Sequence, residues 1–184
     1  MISRRLSLPH FLVFLSLTIL SCNRNKKETV TPAPAFKDYI TAYTSGIISN
    51  ADPVMIELSV EKHVDPGQSI DPGIFEFDPP VKGNAYWHDT YTIAFEPDKP
   101  WPNGQSYRAK FHLSRLADVP DSLAVFPFSF RIKNQALDVE VNGLETYEPD
   151  DLTVNILKGK LSTSDYAEND AVEKCLRVIQ NGSI

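Results

Sequence analysis

Apolar and polar residues alternate over several short runs, and this spacing constrains the fold more than any other feature of the sequence. Val54, Ile56 and Leu58 alternate with Met55 and Glu57. Successive side chains of a β-strand point to opposite faces, so such a run places one apolar face against a core. The same period returns in residues 91–95, 107–113 and 126–132. The pattern therefore predicts four β-strands.

Turn formers separate the runs at short distances. Asp71-Pro72-Gly73, for example, combines an aspartate that accepts a local amide hydrogen bond, a proline that presets φ and a glycine that tolerates positive φ. Further strand candidates at residues 74–77, 85–87 and 39–48 bring the count to about seven. We therefore predict an all-β fold, with an Ig-like antiparallel β-sandwich over residues 36–133.

A second unit is predicted over residues 134–184. Strands are expected at residues 137–141 and 152–162, where the apolar phase shifts between Ile156 and Leu157 as at a β-bulge. A lone hairpin seldom stands alone in water, so this unit is interpreted as an incomplete β-rich domain.

The end of this unit has the period of a short helix. Apolar residues recur there with helical spacing at Val172, Cys175, Leu176 and Ile179. Asp170 and Glu173 resemble a capping box, and Asn181-Gly182 is typical of a helix stop. The incomplete domain is therefore predicted to close with one short C-terminal helix.

The charge balance excludes one class of partner. The chain carries 18 basic and 24 acidic side chains, a formal net charge of −6. Nucleic-acid binding relies on clustered lysine and arginine, and the basic residues here are scattered singly. No nucleic-acid partner is predicted. With only two cysteines, Cys22 and Cys175, no disulfide framework is expected.

The first residues have the three parts of a secretory signal. Arg4 and Arg5 are basic, residues 11–20 are apolar, and the small Ser21 follows. The apolar run is shorter than the roughly 20 residues that a membrane-spanning helix needs. We therefore expect residues 1–21 to be a cleaved signal peptide.

The cleavage site itself, Ile19-Leu20-Ser21-Cys22, resembles the lipobox of bacterial lipoproteins. In that family the cysteine thiol receives a diacylglyceryl group, and the new amino terminus is usually acylated after cleavage. The resemblance implies that fatty acids such as palmitate on Cys22 hold the protein to a membrane, and several chains are needed because one chain binds only marginally. The alternative is an ordinary signal peptide beside an accidental cysteine.

Residues 22–35 are predicted to form an extended tether, because they are polar, contain Pro32 and Pro34 and have no apolar period. The residues after Cys22 include Arg24, Lys26 and Lys27 and contain no cluster of acidic residues. Such an acidic cluster would resemble a signal for export to the cell surface. The predicted location is therefore the cell envelope, lipid-anchored in the outer membrane and facing the periplasm.

The sequence contains no pattern typical of catalysis or metal binding. His63, His88 and His112 lie far apart, and no P-loop, G-x-S-x-G or dinucleotide motif occurs. The adjacent Asp150 and Asp151 are interpreted as a turn or cap. Cys175, within the apolar stripe of its helix, is expected to pack as a small hydrophobe. The sequence therefore predicts no enzyme, no metal and no cofactor.

Two tryptophans are candidates for contact with a sugar or a protein. Trp87 lies within a strand candidate, which favours the core. Trp101 stands between Pro100 and Pro102 before a turn, where core and surface are about equally favoured. Trp101 is therefore the candidate partner-contact residue.

Several motifs together resemble known families. Phe95-Glu96-Pro97 followed by Gly104-Gln105-Ser106-Tyr107 resembles a bacterial Ig-like domain, in which one strand ends in F-x-P and a G-x-x-Y turn follows. Residues 83–89 and 126–130 fit the same pattern. More narrowly, residues 39–49, 113–120 and 161–165 resemble the start of the alpha-2-macroglobulin-like lipoproteins of Bacteroidetes.

That family implies a large envelope protein of stacked macroglobulin domains that traps attacking proteases. The present sequence has no bait segment, no C-x-E-Q thioester motif and no receptor-like domain. Protease inhibition therefore does not carry over to its residues. What the resemblance implies here is the anchor and the first domain, whose role in that family is structural.

Two functions follow as hypotheses. In the preferred one, the chain is the membrane-anchored N-terminal structural module of an alpha-2-macroglobulin-like protease-trapping protein. It would be a truncated gene product or one piece of a split system, with the remaining macroglobulin domains as partners. The alternative is a small envelope lipoprotein whose Ig-like domain binds a glycan or protein partner through Trp101.

Overall fold

The computed structural model describes residues 29–148 and 150–177. Within these residues the chain forms eleven strands and one α-helix. In chain order they are β1 (Ile40–Tyr43), β2 (Gly46–Ile48), β3 (Val54–Leu58), β4 (Ser69–Ile70), β5 (Phe75–Asp78), β6 (Gly83–Trp87), β7 (Thr92–Pro97), β8 (Ser106–Phe111), β9 (Phe126–Ile132), β10 (Leu137–Glu148), β11 (Asp151–Thr163) and α1 (Asn169–Glu173). The predicted signal peptide, Cys22 and the stop at Asn181-Gly182 lie outside the described residues.

The first nine strands form two sheets. One has the order β1-β3-β7-β6-β4 and the other β2-β9-β8-β5. Strands β1-β3-β7-β6 and β5-β8-β9 follow the A-B-E-D and C-F-G orders of an immunoglobulin sandwich. The predicted all-β, sandwich-like fold is confirmed.

One element was predicted as a single strand and is divided between the two sheets. Within residues 39–48, β1 pairs antiparallel with β3, while β2 pairs in parallel with β9. Gly46, with φ 72°, stands at the crossing, a conformation that glycine adopts without a steric penalty. The sandwich is therefore antiparallel except at this one edge.

The apolar residues that alternate in the sequence are the residues whose side chains are buried in the strands. Along β9 the side chains of Phe126, Phe128, Phe130 and Ile132 are buried, while those between them are partly or fully exposed. The same holds for β3 and β8, whose inward residues meet across the two sheets. Trp87 is also buried, as predicted.

Trp101 belongs to this core, so its prediction as a partner contact is wrong. It is only 2% exposed, and its ring packs edge-on against Tyr107 and Phe130 at centroid distances of 5.1 and 5.4 Å. The indole Nε1–H donates to Asp52 O at 2.8 Å, and the backbone N–H donates to Asn50 O at 2.9 Å. Burial of the large indole ring is favourable because its one polar atom has a hydrogen-bond partner. The flanking prolines in the sequence give no indication of this partner.

Strands β10 and β11 form a separate two-stranded antiparallel sheet, called here the hairpin. Both are longer than predicted. The predicted bulge between Ile156 and Leu157 lies instead on the opposite strand, where the register shifts between Val141 and Gly143. Strand β11 keeps its period of two from 155 to 163.

The C-terminal helix is shorter than the apolar spacing predicts. Helix α1 ends at Glu173, and its N-cap residue is Glu168, which makes no side-chain cap hydrogen bond. The predicted capping box at Asp170 and Glu173 is therefore wrong. Cys175 follows the helix and is exposed, contrary to its expected burial. No helix among the described residues is long and apolar enough to cross a membrane.

Candidate functional site: a polar joint and an apolar strand face

Asp165 ties the end of the hairpin to the sandwich. It follows β11 by two residues, and its carboxylate accepts hydrogen bonds from Ser49 Oγ at 2.5 Å and from the backbone N–H groups of Asn50 and Tyr166 at 2.9 Å each. Ser49 and Asn50 lie in the loop that follows β2. One carboxylate therefore connects two segments that lie more than 100 residues apart in the chain.

The charge of Asp165 is favoured in this position. Partial burial alone would raise the pKa of the carboxyl, but the hydrogen bonds from Ser49, Asn50 and Tyr166 and the nearby charge of Lys133 outweigh it. The net effect lowers the pKa of Asp165. The joint is consequently made with an ionised carboxylate at neutral pH.

Asn50 makes the second connection. Its side chain is buried, and Nδ2 donates to Asn103 Oδ1 at 3.1 Å and to Tyr166 O at 3.0 Å. One amide group thus joins the loop after β2, the loop before β8 and the segment after β11. Its Oδ1 is the one buried side-chain oxygen or nitrogen in the described part of the chain that has no hydrogen-bond partner.

Gln135 lies just before β10 and binds the segment that follows β11. Its Nε2 donates to Asp165 O at 3.2 Å and Tyr166 O at 3.1 Å, and its Oε1 accepts from Asp165 N at 3.1 Å. Lys133 adds a bond from Nζ to Ser164 O at 2.7 Å. The segment before β10 and the segment after β11 are therefore bound to each other, and the second of them is also bound to the sandwich. These residues are called the joint: Ser49, Asn50, Asn103, Lys133, Gln135, Ser164, Asp165 and Tyr166.

The hairpin that the joint holds has two unlike faces. Residues opposite each other in an antiparallel pair share a face, so the register assigns each side chain to one of two sides. One side, the apolar face, carries Leu137, Val139, Val141, Leu144, Leu157 and Leu161. The other side, the charged face, carries Asp138, Glu140, Glu145, Lys158 and Lys160, with an ion pair between Glu145 and Lys158.

The bulge on β10 keeps the apolar face continuous. Val141 and Leu144 are three residues apart and would point to opposite sides of a regular strand. The extra residue before Gly143, whose φ is 144°, restores them to one side. Opposite Val141 lies Gly159, where a Cβ would stand 2.7 Å from Glu140 O. The close approach of β10 therefore requires glycine there.

No described residue covers most of the apolar face. Val141 is 62% exposed and Leu144 70%, and Leu137, Val139 and Leu157 are exposed as well. Contiguous exposed apolar surface rimmed by polar residues is typical of interaction sites. The apolar face is therefore a candidate interaction surface.

A recess closes the base of this face. It has a volume of about 320 Å³ and lies between the first pair of the apolar face, Leu137 and Thr163, the loop residues Asn50 and Pro100, and the segment that holds α1. Val172 and Cys175 contribute to its wall. The joint, the recess and the apolar face thus form one surface on the same side of the hairpin.

The other sequence candidates lie apart from this surface. His63 and His88 are exposed, and His112, which follows β8 rather than lying within it, contacts Glu76 Oε1 at 2.8 Å. The described residues contain no group of three histidine, cysteine, aspartate or glutamate side chains that could hold a metal. Asp150 lies in the turn that joins β10 and β11.

Sequence reasoning found the strands of the hairpin but missed the joint. Asp165, Asn50 and Gln135 are polar residues in loops, and nothing in their spacing indicates that they meet. For the apolar face the sequence does contain a signal. Apolar residues alternate with carboxylates over residues 137–141, which predicts a strand with one apolar and one charged face.

Comparison with known proteins finds similarity to solved structures. No protein-family model and no curated protein matches the sequence. One similar solved structure is an L,D-transpeptidase from Mycobacterium tuberculosis H37Rv, at 13% identity and a TM-score of 0.37, with 56% of this chain and 42% of that chain covered. Another is L,D-transpeptidase 3 from Mycobacterium tuberculosis in complex with a faropenem-derived adduct, at 13% identity and a TM-score of 0.37, with 58% and 41% covered. The chain thus spans less than half the length of either transpeptidase. Structural similarity this low supports no functional conclusion.

Proposed function

We propose that this chain is a membrane-anchored envelope lipoprotein with a structural, non-enzymatic role, the N-terminal module of an alpha-2-macroglobulin-like protein. The lipid on Cys22 holds it to the membrane. The sandwich spaces the hairpin from that membrane, and the hairpin is the part through which the module joins other protein.

The observation that carries the proposal is the uncovered apolar face. A two-stranded sheet is marginal in water by itself and needs further strands or a packed layer. The hairpin presents five exposed large apolar side chains on one side and an ion-paired surface on the other. This is the pattern of one layer of a two-layer domain.

The joint supports a structural role. Ser49 and Asn50 of the sandwich bind the segment after β11 through three hydrogen bonds, to Asp165 and Tyr166. Gln135, just before β10, binds the same segment through three more. Such a connection orients the hairpin on its support, which a module that presents an assembly surface requires.

Lipid attachment is tested by a pair of cysteine variants. We expect the wild type to incorporate labelled palmitate and to partition into detergent, and Cys22→Ala to lose both properties because the thiol is the acceptor. Cys175→Ala is the matched control and should behave as the wild type. Labelling that survives in Cys22→Ala refutes the anchor.

The link to a larger protein is tested at the level of the gene. The DNA beyond the codon for Ile184 is read for an open frame that encodes more macroglobulin-like domains, in the same frame or in an adjacent gene. Such domains support the modular role. A long intergenic gap on that side, with no such gene nearby, contradicts it.

A binding role for the sandwich is the second candidate, and one feature favours it. A recess of about 410 Å³ lies over the buried Trp101 and Tyr107, with Lys82, Lys99 and Pro100 at its rim. Recesses with an apolar base and a few polar groups are typical ligand sites. Binding of an envelope glycan that Lys82→Ala and Lys99→Ala both weaken, with Lys37→Ala as control, would favour this role.

A further inference from the structure

The last residues of the predicted tether are fixed on the sandwich. The backbone N–H of Val30 donates to Ser129 Oγ at 2.9 Å, across 99 residues of sequence. Val30 and Pro32 are half-buried, and the residue that follows each of them is exposed, which is the alternation of an extended segment lying on a surface. Phe36 then enters the core, where its ring packs edge-on against Phe126 at a centroid distance of 5.0 Å. The chain is therefore attached to the sandwich from Val30 onward.

Ser129 lies on the outward side of the sheet β2-β9-β8-β5. Its neighbours on β9, Phe128 and Phe130, are buried between the two sheets, so the side chain between them points away from the core. The surface to which Val30 binds is called the outer face. It carries outward side chains of three strands, which are Ile47 on β2, Arg108 and Lys110 on β8, and Pro127, Ser129 and Arg131 on β9.

The chain between the predicted lipid and the outer face is short. Only residues 23–29 separate Cys22 from Val30. Fully extended, this stretch reaches about 28 Å, and a flexible chain of the same length spans roughly 16 Å on average. To place the opposite sheet against the membrane, it would have to pass around both sheets and their outer side chains, a path of roughly 25–30 Å. The short chain therefore favours the outer face as the side nearest the membrane.

The two ends of the sandwich are less suited to face the membrane. At the end where β2 and β9 finish, the joint attaches the hairpin. The attached segment leads away from the other end, because Phe36 packs on Phe126 at the start of β9 and Val30 binds Ser129 at its middle. A lipid that is reached from Val30 therefore lies over the outer face rather than beyond either end.

The side chains of the outer face fit a layer of lipid headgroups. Arg108, Lys110 and Arg131 are exposed, while the carboxylates of this sheet are confined to its edge strand β5, where Glu76 pairs with Lys110 at 3.1 Å. Ile47, directly across the ladder from Arg131, is 70% exposed. A basic side chain near an anionic lipid surface contributes about 1 kcal/mol, and an aliphatic side chain gains from entering the interface. The face thus combines positive charge with an apolar projection.

We infer that the outer face lies against the lipid headgroups of the membrane in which Cys22 is anchored. This inference rests on the proposed lipid anchor and adds the orientation of the sandwich on the membrane. The attachment of Val30 sets this orientation, and contacts of Arg131 and Ile47 with lipid add to it. The hairpin leaves the sandwich at the end of β9 and not through the outer face, so its apolar face stays available to other protein.

Fluorescence quenching in vesicles tests the orientation. The lipidated protein with Cys175→Ala receives one new cysteine, Ile47→Cys on the outer face or Asn84→Cys on the opposite sheet, and a nitrobenzoxadiazole label is attached to it. Both side chains are exposed and point away from the core. The vesicles contain phosphatidylethanolamine, phosphatidylglycerol and a fraction of lipid with a nitroxide on the headgroup. We expect several-fold stronger quenching at position 47 than at position 84, because only the first label lies near the headgroups.

Flotation of the same vesicles separates the two kinds of failure. Protein that does not float with the vesicles contradicts the lipid anchor, and the inference falls with it. Protein that floats but is quenched equally at both positions, more strongly at position 84, or at neither position overturns the orientation and leaves the anchor intact.

A longer tether gives a second measurement. An insertion of about 20 glycine and serine residues between Glu28 and Thr29 leaves the contact of Val30 with Ser129 in place but raises the average reach of the chain from roughly 16 Å to roughly 29 Å. Quenching at position 47 is expected to fall several-fold, because only the weak contacts of Arg131 and Ile47 then hold the outer face to lipid. An unchanged difference between positions 47 and 84 would contradict the inference that the short attached chain sets the orientation.

Discussion

The sandwich and the hairpin contain the same sequence pattern with opposite outcomes. In the sandwich, Phe128 lies between Pro127 and Ser129 on β9 and is fully buried, because a second sheet faces it. In the hairpin, Val141 lies between the polar Glu140 and Asn142 on β10 and is 62% exposed. Alternation therefore fixes which side of a strand is apolar, and a second layer decides whether that side is buried.

The largest expected effect comes from removing a buried ring. Phe128→Ala should lower the free energy of unfolding by about 3–5 kcal/mol, because it creates a cavity between the two sheets. Val141→Ala, on the exposed strand β10, should change the free energy of unfolding by less than about 0.5 kcal/mol. Urea denaturation of both variants measures the difference, and similar losses would contradict the contrast between the two regions.

A smaller loss is expected where the core reaches the loops of the sandwich. Trp101→Phe keeps an aromatic ring but removes the donor to Asp52 O, so it should cost about 1–3 kcal/mol. Tyr147→Phe on the exposed hairpin is the control, and its effect on the urea midpoint should be negligible. A negligible effect at Trp101 as well would place that side chain on the surface after all.

The smallest effect concerns the joint and depends on pH. The pKa of Asp165 is lowered in the folded protein, so its contribution is complete above its unfolded pKa, near 3.9, and is lost as the pH falls through the folded pKa. At pH 7, Asp165→Asn should cost about 1 kcal/mol at most, since the group is partly exposed. Urea denaturation at pH 7 and near pH 3 should show the difference from wild type shrinking at acid pH. A constant difference would mean that the charge of Asp165 is irrelevant.

Local patterns predicted the strands well because strand periodicity is written in adjacent residues. Trp87 and the alternating residues of β9 are buried as expected. Three features depend on residues far apart in the chain and were not predictable: the division of β1 from β2, the burial of Trp101 and the joint at Asp165. The length of the helix was overestimated. Cys175 and Leu176 have helical spacing in the sequence, but α1 ends at Glu173.

The parallel pairing of β2 with β9 determines how the molecule carries a pulling force. Strand β2 lies toward the N-terminal end of the chain, and β9 leads directly to the hairpin. A pull between these two ends acts on opposite ends of a parallel pair, so the hydrogen bonds along Gly46–Ile48 are loaded together in shear and cannot open one after another. The three-residue edge strand β2 is therefore the part of the sandwich that resists extension.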